Sequence, residues 1–291
     1  MTIKRNIADA WFPESHPGFL GAGHLARPVL KGPFNHTDPF IVLMDDRIDK
    51  KDHIPVGGPH PHAGFETVTL ILEGQLGEQE GSVMKQGDFQ MMTAGSGIEH
   101  AEVIDKPGVI RILQLWLDLP KEKRSIAPRV QELPSDNVPV MEKDNVQIRV
   151  YSGSLAGISS PVLNHVPVII ADITMQPGSS TSIQIPANYN GFLYMLEGAL
   201  LVGDKEGYLE QDQTGWLDLY KEDEPSELAL KAGTTGARFV LYAGKPTGDS
   251  IISHGPFITD TEEDIKRLYR EYRQGKLQHV TQLPEEQKFL W

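Results

Sequence analysis

Two histidines stand one residue apart at the start of a β-prone segment. The stretch GGPHPHAGFETVTLILEG, residues 57–74, carries them as His60 and His62. Side chains at positions i and i+2 of a strand project from the same face, so we expect both imidazoles on one side. A strand that continues through this stretch would add to that face Val68, Leu70 and Leu72, and to the other Thr67 and Thr69. Two adjacent imidazoles on a core-like face indicate either a hydrogen-bonded pair or a metal site.

A second polar pair with the same spacing lies in TAGSGIEHAEV, residues 93–103, as His100 and Glu102. Two strands that each present two such side chains could converge inside a barrel and place three imidazoles and one carboxylate around a point. That ligand set leaves one or two positions open on a six-coordinate ion, as in the facial triads that activate O₂ at non-haem Fe(II). Fe, Mn, Ni, Cu, Co and Zn all tolerate these ligands, so the residues alone do not choose the metal.

The elements that would position these residues are short apolar runs, separated by Gly, Pro, Asn and Asp. Runs such as VPVIIADITMQPG and VIRILQLWLDLP recur along most of the chain and predict an all-β sandwich or barrel fold. TEEDIKRLYREYRQG near the C-terminus is the exception. Its capping box of Thr261 and Asp264, its apolar stripe and the stop at Gly275 predict an amphipathic helix over about residues 261–274.

The chain also shows signs of internal duplication. GFETVTLILEGQL, residues 64–76, and GFLYMLEGAL, residues 191–200, begin and end alike, which suggests two copies of one β domain. Aligning them places Gln184 and Pro186 where His60 and His62 stand, so a metal site would belong to the first copy alone. The proline-rich stretch between them suggests a linker. We therefore predict an N-terminal domain over residues 1–125 that carries the metal site, a linker over 126–146, and a C-terminal domain over 147–291 that lacks metal ligands and ends with the helix.

The composition excludes or disfavours several classes of function. The 291 residues include no cysteine, which excludes disulfides, thiolate metal sites and cysteine nucleophiles. The net charge of −13 opposes direct binding to nucleic acids or anionic membranes. No apolar run approaches the ~20 residues that a membrane helix needs, and the N-terminus has no apolar signal region. A cytoplasmic location is therefore the expectation.

Several motifs together resemble those of the pirin family, whose members are bicupins of the cupin superfamily. They are HPHAGFETVTLILEG, DFQMMTAGSGIEHAE, LQLWLDLP and, near the end, AGKPTGDSIISHGPFITDTEEDI. The resemblance implies two tandem cupin-type β-barrel domains, and it places the family's metal ligands on His60, His62, His100 and Glu102. Generic cupins take their carboxylate ligand from the first motif, where Glu66 stands here, whereas the pirin pattern takes it from the second. The resemblance thus favours Glu102 over Glu66.

The resemblance also implies two functions of different kinds. The first is an oxygenase of the quercetin 2,3-dioxygenase type, acting with O₂ on a flavonol or similar small aromatic enol. In that reaction one divalent transition metal, with Fe(II) favoured, would bind the enol oxygen, and Glu102 would be both ligand and candidate base. The alternative is a non-enzymatic redox- or metal-sensing regulator that acts through a protein partner. We interpret Trp116 as a core residue and assign structural roles to the remaining histidines, which are His16, His24, His36, His53, His165, His254 and His279.

Overall fold

The computed structural model describes residues 2–77 and 83–291, which form mainly β-strands. In chain order the strands are β1 (Ile3–Lys4), β2 (Ile7–Trp11), β3 (His16–Pro17), β4 (His24–Pro28), β5 (Phe40–Lys50), β6 (His60–His62), β7 (Phe65–Glu73), β8 (Gln75–Gly77), β9 (Val83–Lys85), β10 (Phe89–Thr93), β11 (Ile98–His100), β12 (Gly108–Asp118), β13 (Arg129–Leu133), β14 (Val140–Lys143), β15 (Val146–Ser152), β16 (Ser154–Leu155), β17 (Ile158–Ser159), β18 (Val168–Met175), β19 (Ser180–Pro186), β20 (Asn190–Val202), β21 (Gly207–Glu210), β22 (Thr214–Leu217), β23 (Pro225–Gly244), β24 (Ile252–His254), β25 (Phe257–Thr259), β26 (Gln278–His279) and β27 (Lys288–Leu290). The α-helices of these described residues are α1 (Phe34–Thr37) and α2 (Glu262–Arg273), and short 3₁₀ turns cover Lys121–Lys123, Ser135–Asn137, Val280–Gln282 and Glu285–Gln287. The predicted all-β fold class is confirmed.

The C-terminal helix α2 begins and ends where the sequence predicts. The Thr261 hydroxyl oxygen accepts a hydrogen bond from the Asp264 N–H at 3.1 Å, and the hydroxyl donates to the Asp264 carboxylate at 2.6 Å. The first of these bonds satisfies one of the backbone N–H donors that a helix start otherwise leaves unpaired, and the second orients the capping hydroxyl. The apolar stripe buries Ile265 and Leu268 against Ala63 and Phe257. The helix therefore packs against Ala63, the residue that directly follows the two histidines.

The chain folds into two compact units. The 138–246 unit comprises the described residues up to Pro13, Thr37–Pro39 and Val138–Pro246. The 40–137 unit comprises Glu14–His36, the described part of Phe40–Asn137, and Thr247–Trp291. Each unit has its own sheets and core, so the two are described separately.

These bounds differ from the sequence prediction of 1–125, 126–146 and 147–291. At the N-terminus, β1 runs parallel to β23 and β2 pairs with β22, both within the 138–246 unit. At the C-terminus, β26 pairs with β11 and β27 with β13, so residues 247–291, including α2, belong to the 40–137 unit. Strand pairing joins segments that are distant in sequence. A prediction that divides the chain into consecutive ranges therefore cannot show that each chain end belongs to the unit formed mainly by the other half.

The predicted linker over residues 126–146 contains strands instead. β13 lies between Pro128 and Pro134, and β14 starts directly after Pro139. Proline cannot donate a ladder hydrogen bond, so it is tolerated just outside a strand. The proline spacing that suggests a linker here marks the ends of the strands.

In the 138–246 unit the sheet follows the path β14-β15-β18-β23-β20-β22-β2. Alternate residues of β18 enter the core, namely Ile169, Ala171, Ile173 and Met175. They join side chains such as Leu193, Leu228 and Phe239 in one continuous apolar cluster. The interior of this unit is therefore filled with side chains.

In the 40–137 unit the main sheet follows the path β27-β13-β10-β7-β12-β5-β4-β3, and a smaller sheet has the order β26-β11-β6. β7 lies between β10 and β12. The small sheet carries both histidine-bearing segments, so its position against the main sheet sets the geometry of the candidate site.

A buried arginine ties the C-terminal segment to this unit. Arg124 is 4% exposed and donates to both carboxylate oxygens of Asp118 at 3.1 and 3.2 Å. It also donates to the Asp260 carboxylate and, at 3.0 Å, to the Ser250 carbonyl. Because the carboxylate of Asp118 is fully buried, the charge of Arg124 is the counterpart that makes its burial tolerable.

Arg124→Met should lower the free energy of unfolding by about 3 kcal/mol, since it leaves a buried carboxylate without its cation. The matched control is Arg47→Met, which removes the exposed Arg47–Glu73 pair at 3.9 Å and should change the free energy by at most about 0.5 kcal/mol. Urea denaturation followed by tryptophan fluorescence measures both. Similar losses in the two variants would contradict the role assigned to Arg124.

Candidate metal centre

The strands β6 and β11 bring three histidines together. They pair antiparallel, with His60 opposite His100 and His62 opposite Ile98. The ring centroids of His60 and His100 lie 4.4 Å apart, those of His60 and His62 4.9 Å, and those of His62 and His100 5.1 Å. One ring nitrogen from each residue lies within 4.8 Å of the others, and no other group of three or more potential ligands occurs among residues 2–77 and 83–291.

The hydrogen bonds of these rings fit a metal site. Nδ1 of His60 bonds the Gly58 carbonyl at 3.0 Å, and the His62 ring donates to the carbonyl of Pro256. Within the described chain, Nδ1 of His62 and both ring nitrogens of His100 are buried without a partner. Metal-bound histidines typically donate one ring N–H to a carbonyl and direct the other nitrogen at the ion. Buried unpaired polar atoms are otherwise costly, so this cluster is a candidate site for a divalent metal ion.

The electrostatics keep these imidazoles in the ligand form. Burial, together with the neighbouring His60, lowers the pKa of His62 to about 3. Burial and the two other histidines likewise lower the pKa of His100 well below its ordinary value. A neutral imidazole offers a lone pair to a metal, whereas a protonated one does not.

Two glycines allow the backbone around β6 to approach its neighbours. Gly57 has φ +79°, and a Cβ at this position would lie 2.0 Å from the Glu102 carbonyl oxygen. Gly64 has φ +87°, and a Cβ there would lie 1.8 Å from the Ile258 carbonyl oxygen. Only glycine fits both the left-handed conformation and these contacts. The two glycines on either side of the HPH sequence are therefore structural requirements of the site.

Gly64 also changes which face of β7 meets the site. The sequence prediction of one continuous strand is wrong, because β6 ends at His62 and β7 begins at Phe65 in a different sheet. Thr69 lies 3.4 Å from a Glu102 carboxylate oxygen and donates to Gln114 at 3.1 Å. The threonine face of β7 is thus turned toward the site, and Val68 and Leu70 project to the other side.

Glu102 lies beside the cluster and not within it. The residue follows the end of β11, is half-buried, and lines the same cavity of about 1000 Å³ as His60, His62 and His100. Its carboxylate falls outside the group of ligand atoms that lie within 4.8 Å of one another. Burial and, to a smaller extent, the charge of Asp46 raise its pKa, while His60 and the Thr69 hydroxyl oppose that rise.

Glu66 faces away from the cavity. Its fully buried carboxylate accepts a hydrogen bond from the Thr93 hydroxyl at 2.6 Å and lies 3.9 Å from the Arg129 guanidinium. Burial raises its pKa, and Thr93 and Arg129 oppose the rise. Glu66 therefore takes part in a polar contact on the opposite face of β7, and of the two glutamates only Glu102 lines the cavity.

Sequence reasoning missed several residues that line this cavity. Trp116, predicted to be a core residue, borders it, with its ring centroid 4.4 Å from Phe65 and 5.4 Å from His62. His24, assigned a structural role, lines it together with Asp46. Pro256 comes from the distal GPF motif, and its sequence carries no local signal for contact with His62.

Comparison with known proteins identifies the family. The family model described as pirin matches residues 25–117, and that of the pirin C-terminal cupin domain matches residues 170–278. A pirin-like protein of Solanum lycopersicum is 33% identical over 95% of this chain and 92% of its own length. The chain belongs to the pirin family. Human pirin is 35% identical over 87% of this chain and 86% of its own length.

A solved structure supports the same pirin architecture. The crystal structure of a quercetin 2,3-dioxygenase from Acinetobacter baumannii has a TM-score of 0.81 and 25% identity to this chain. The match covers 94% of this chain and 98% of that one. The predicted fold of two cupin domains with a C-terminal helix is thus confirmed. Within the described residues, no helix is long and apolar enough to cross a membrane.

We expect one metal ion per chain. In the 138–246 unit Gln184 is exposed, and its neighbours Ile183 and Ile185 fill the core, so no second histidine set exists among the described residues. Elemental analysis of fully loaded protein should give one equivalent, and His62→Ala should lower metal affinity at least about 100-fold by removing one ligand. Two equivalents per chain would contradict a single site.

Glu102→Gln should weaken metal binding more than Glu66→Gln does. Glu102 shares the cavity with the histidines, whereas the carboxylate of Glu66 is turned to Thr93 and Arg129. We expect a loss of about tenfold or more in affinity for Glu102→Gln and less than about threefold for Glu66→Gln. Calorimetric titration with the same metal measures both, with melting temperatures as the control for folding. Equal or reversed losses would mean that Glu66 supplies the carboxylate.

Proposed function

We propose that this pirin-family protein is a metal-dependent dioxygenase that opens the ring of a flavonol or similar aromatic enol. The observation that carries this proposal is the cavity of about 1000 Å³ that opens onto the histidine cluster. Sites for small molecules and cofactors typically occupy about 300–1000 Å³ and combine apolar walls with a few polar groups. The cavity meets this description, and the likeness to a quercetin 2,3-dioxygenase supports the choice of substrate class.

The cavity wall suits a flat aromatic molecule. Val42, Met44, Ile48 and Ile112 contribute apolar surface. Trp116 adds an indole beside His62, next to the cluster. Aromatic side chains bind planar rings by offset or edge contacts. A planar ligand is thus favoured with its reactive end at the histidines.

In this proposal His60, His62 and His100 hold a divalent transition metal, with Fe(II) the first choice and Mn, Ni, Cu, Co or Zn as alternatives. Such an ion would supply Lewis acidity to the enol oxygen and an open position for O₂. Glu102 completes the ligand set and accepts the proton of the substrate hydroxyl.

The alternative function is regulation of a protein partner through the charge state of the metal. Such a regulator needs a metal site whose charge alters nearby contacts, and it needs no substrate cavity. The volume and the apolar lining of the cavity are explained by a substrate and not by sensing alone. We therefore propose the dioxygenase as the primary function.

Fe(II)-loaded protein should consume O₂ when quercetin is added, and His100→Ala should reduce that rate at least about 100-fold because it removes a ligand. The fold should survive, since the core of the 138–246 unit and the buried Arg124 contacts do not involve His100. An oxygen electrode gives the rate, and His53→Ala, an exposed histidine outside the cavity, is the matched control.

The same assay is repeated with Mn, Ni, Cu, Co and Zn. If no metal supports flavonol-dependent O₂ uptake by the wild-type protein, the dioxygenase proposal falls below the regulatory one. If His100→Ala retains full activity, the histidine cluster is not the reactive site.

A further inference from the structure

The cavity contains a second polar pair that the proposed chemistry does not use. His24 and Asp46 both line it. The His24 ring is 1% exposed, and its Nε2 lies 2.8 Å from Oδ1 of Asp46, whose side chain is 19% exposed. A buried imidazole thus holds a carboxylate that is in part open to the cavity.

The hydrogen bonds show which residue of this pair is the donor. The Leu20 N–H donates to Nδ1 of His24 at 3.1 Å. A backbone N–H can only donate, so Nδ1 is the acceptor, and the ring proton is on Nε2. His24 therefore donates to Asp46 and has no nitrogen left for a ligand. Its contribution is to orient the Asp46 carboxylate, which stays an acceptor.

Strand register places Asp46 away from the histidine cluster. On β12, Trp116 contacts His62, and Gln114 lies opposite Thr69, which reaches Glu102. Asp46 lies opposite Ile112, two residues along β12 from Gln114. At about 3.3 Å per residue, that separation is about 7 Å along the wall. A flavonol whose enol oxygen lies beside the histidines and Glu102 can therefore bring a hydroxyl of an outer ring to Asp46.

Nothing else on the described wall uses this acceptor. The bond from His24 is the one hydrogen bond that side chains of the described residues make to the Asp46 carboxylate. Its neighbours on the cavity wall, Met44, Ile48 and Ile112, are apolar. A bound ligand that displaces water from this carboxylate must supply a donor, since an unpaired buried acceptor is costly. Sites of this kind reject analogues that lack the matching hydroxyl.

We propose that Asp46, oriented by His24, is a specificity-determining residue that accepts a hydrogen bond from a hydroxyl at the distal end of the substrate. The inference rests on the proposed dioxygenase function and narrows its substrate class to polyphenolic enols. In such flavonols the central ring carries the enol hydroxyl, and the remote ring, which is the aryl substituent, carries phenolic hydroxyls. Asp46 is a binding residue in this proposal and takes no part in the oxidation.

Anaerobic binding of two flavonols to Zn(II)-loaded protein tests the inference, because no turnover occurs without O₂. Quercetin carries hydroxyls on its remote ring, and galangin is the flavonol that lacks them. Absorbance titration should give a Kd for quercetin about tenfold or more below that for galangin, as expected for a hydrogen bond to a charged acceptor. Asp46→Asn, which turns an amide toward the ligand, should weaken quercetin binding by about tenfold and change galangin binding by less than about twofold.

Asp49→Asn is the matched control, because Asp49 lies on the same strand, is not part of the cavity wall and pairs with Lys51. It should leave both constants unchanged. Equal affinity of the wild-type protein for the two flavonols would overturn the inference and leave the dioxygenase proposal standing, even if Asp46→Asn fails to fold. Equal effects of Asp46→Asn on both flavonols would also overturn it. If neither flavonol binds, the dioxygenase proposal falls together with this inference.

Discussion

The arrangement of the 40–137 unit depends on the buried guanidinium of Arg124. It joins Asp118, at the end of β12, to Ser250 and Asp260 of the C-terminal segment. A charge at this depth requires its partners in place, because an unpaired buried ion costs several kcal/mol. The requirement is directional, since each N–H of the guanidinium points at one acceptor. Residues 247–260 are consequently held in one position against the barrel.

That position in turn sets the geometry of the histidines. The Ile258 N–H donates to the Ala63 carbonyl at 2.9 Å, and the Pro256 carbonyl accepts from the Ala63 N–H at 3.4 Å and from the His62 ring. A segment from the end of the chain thus fixes the tautomer and orientation of a candidate ligand. Ala63 is 1% exposed between this segment and α2, so the position directly after the HPH sequence has no room for a longer side chain. The hydrogen bonds of Pro256 and Ile258 and the apolar packing of α2 thus all hold the chain at Ala63, directly after β6.

The structural features that could be predicted from the sequence are those that depend on residues close together in the chain. The helix follows from its cap at Thr261 and its periodicity, and the common face of His60 and His62 follows from their i, i+2 spacing on β6. Which face of β7 meets the site was not predictable. The positive φ at Gly64 interrupts the alternation of side chains between β6 and β7 and turns Thr69 to the site. Non-local pairing also escapes local rules, which is why the chain ends are exchanged between the units and Pro256 lies at His62. The resemblance to pirins favours Glu102 over Glu66, and the sheet gives the physical reason, because it turns the Glu66 carboxylate to Thr93 and Arg129.

The two units share one β architecture but differ in what occupies their interiors. In the 138–246 unit, residues such as Ile183 and Ile185 fill the interior, and dense packing of this kind is what stabilises a β domain. In the 40–137 unit, the corresponding space is a cavity of about 1000 Å³ whose wall holds unpaired imidazoles. An unfilled interior forgoes contact energy, and buried polar atoms add to that cost. A fold retains such a costly interior where a ligand compensates for it, and here the unpaired ring nitrogens of His62 and His100 mark the point at which compensation is required.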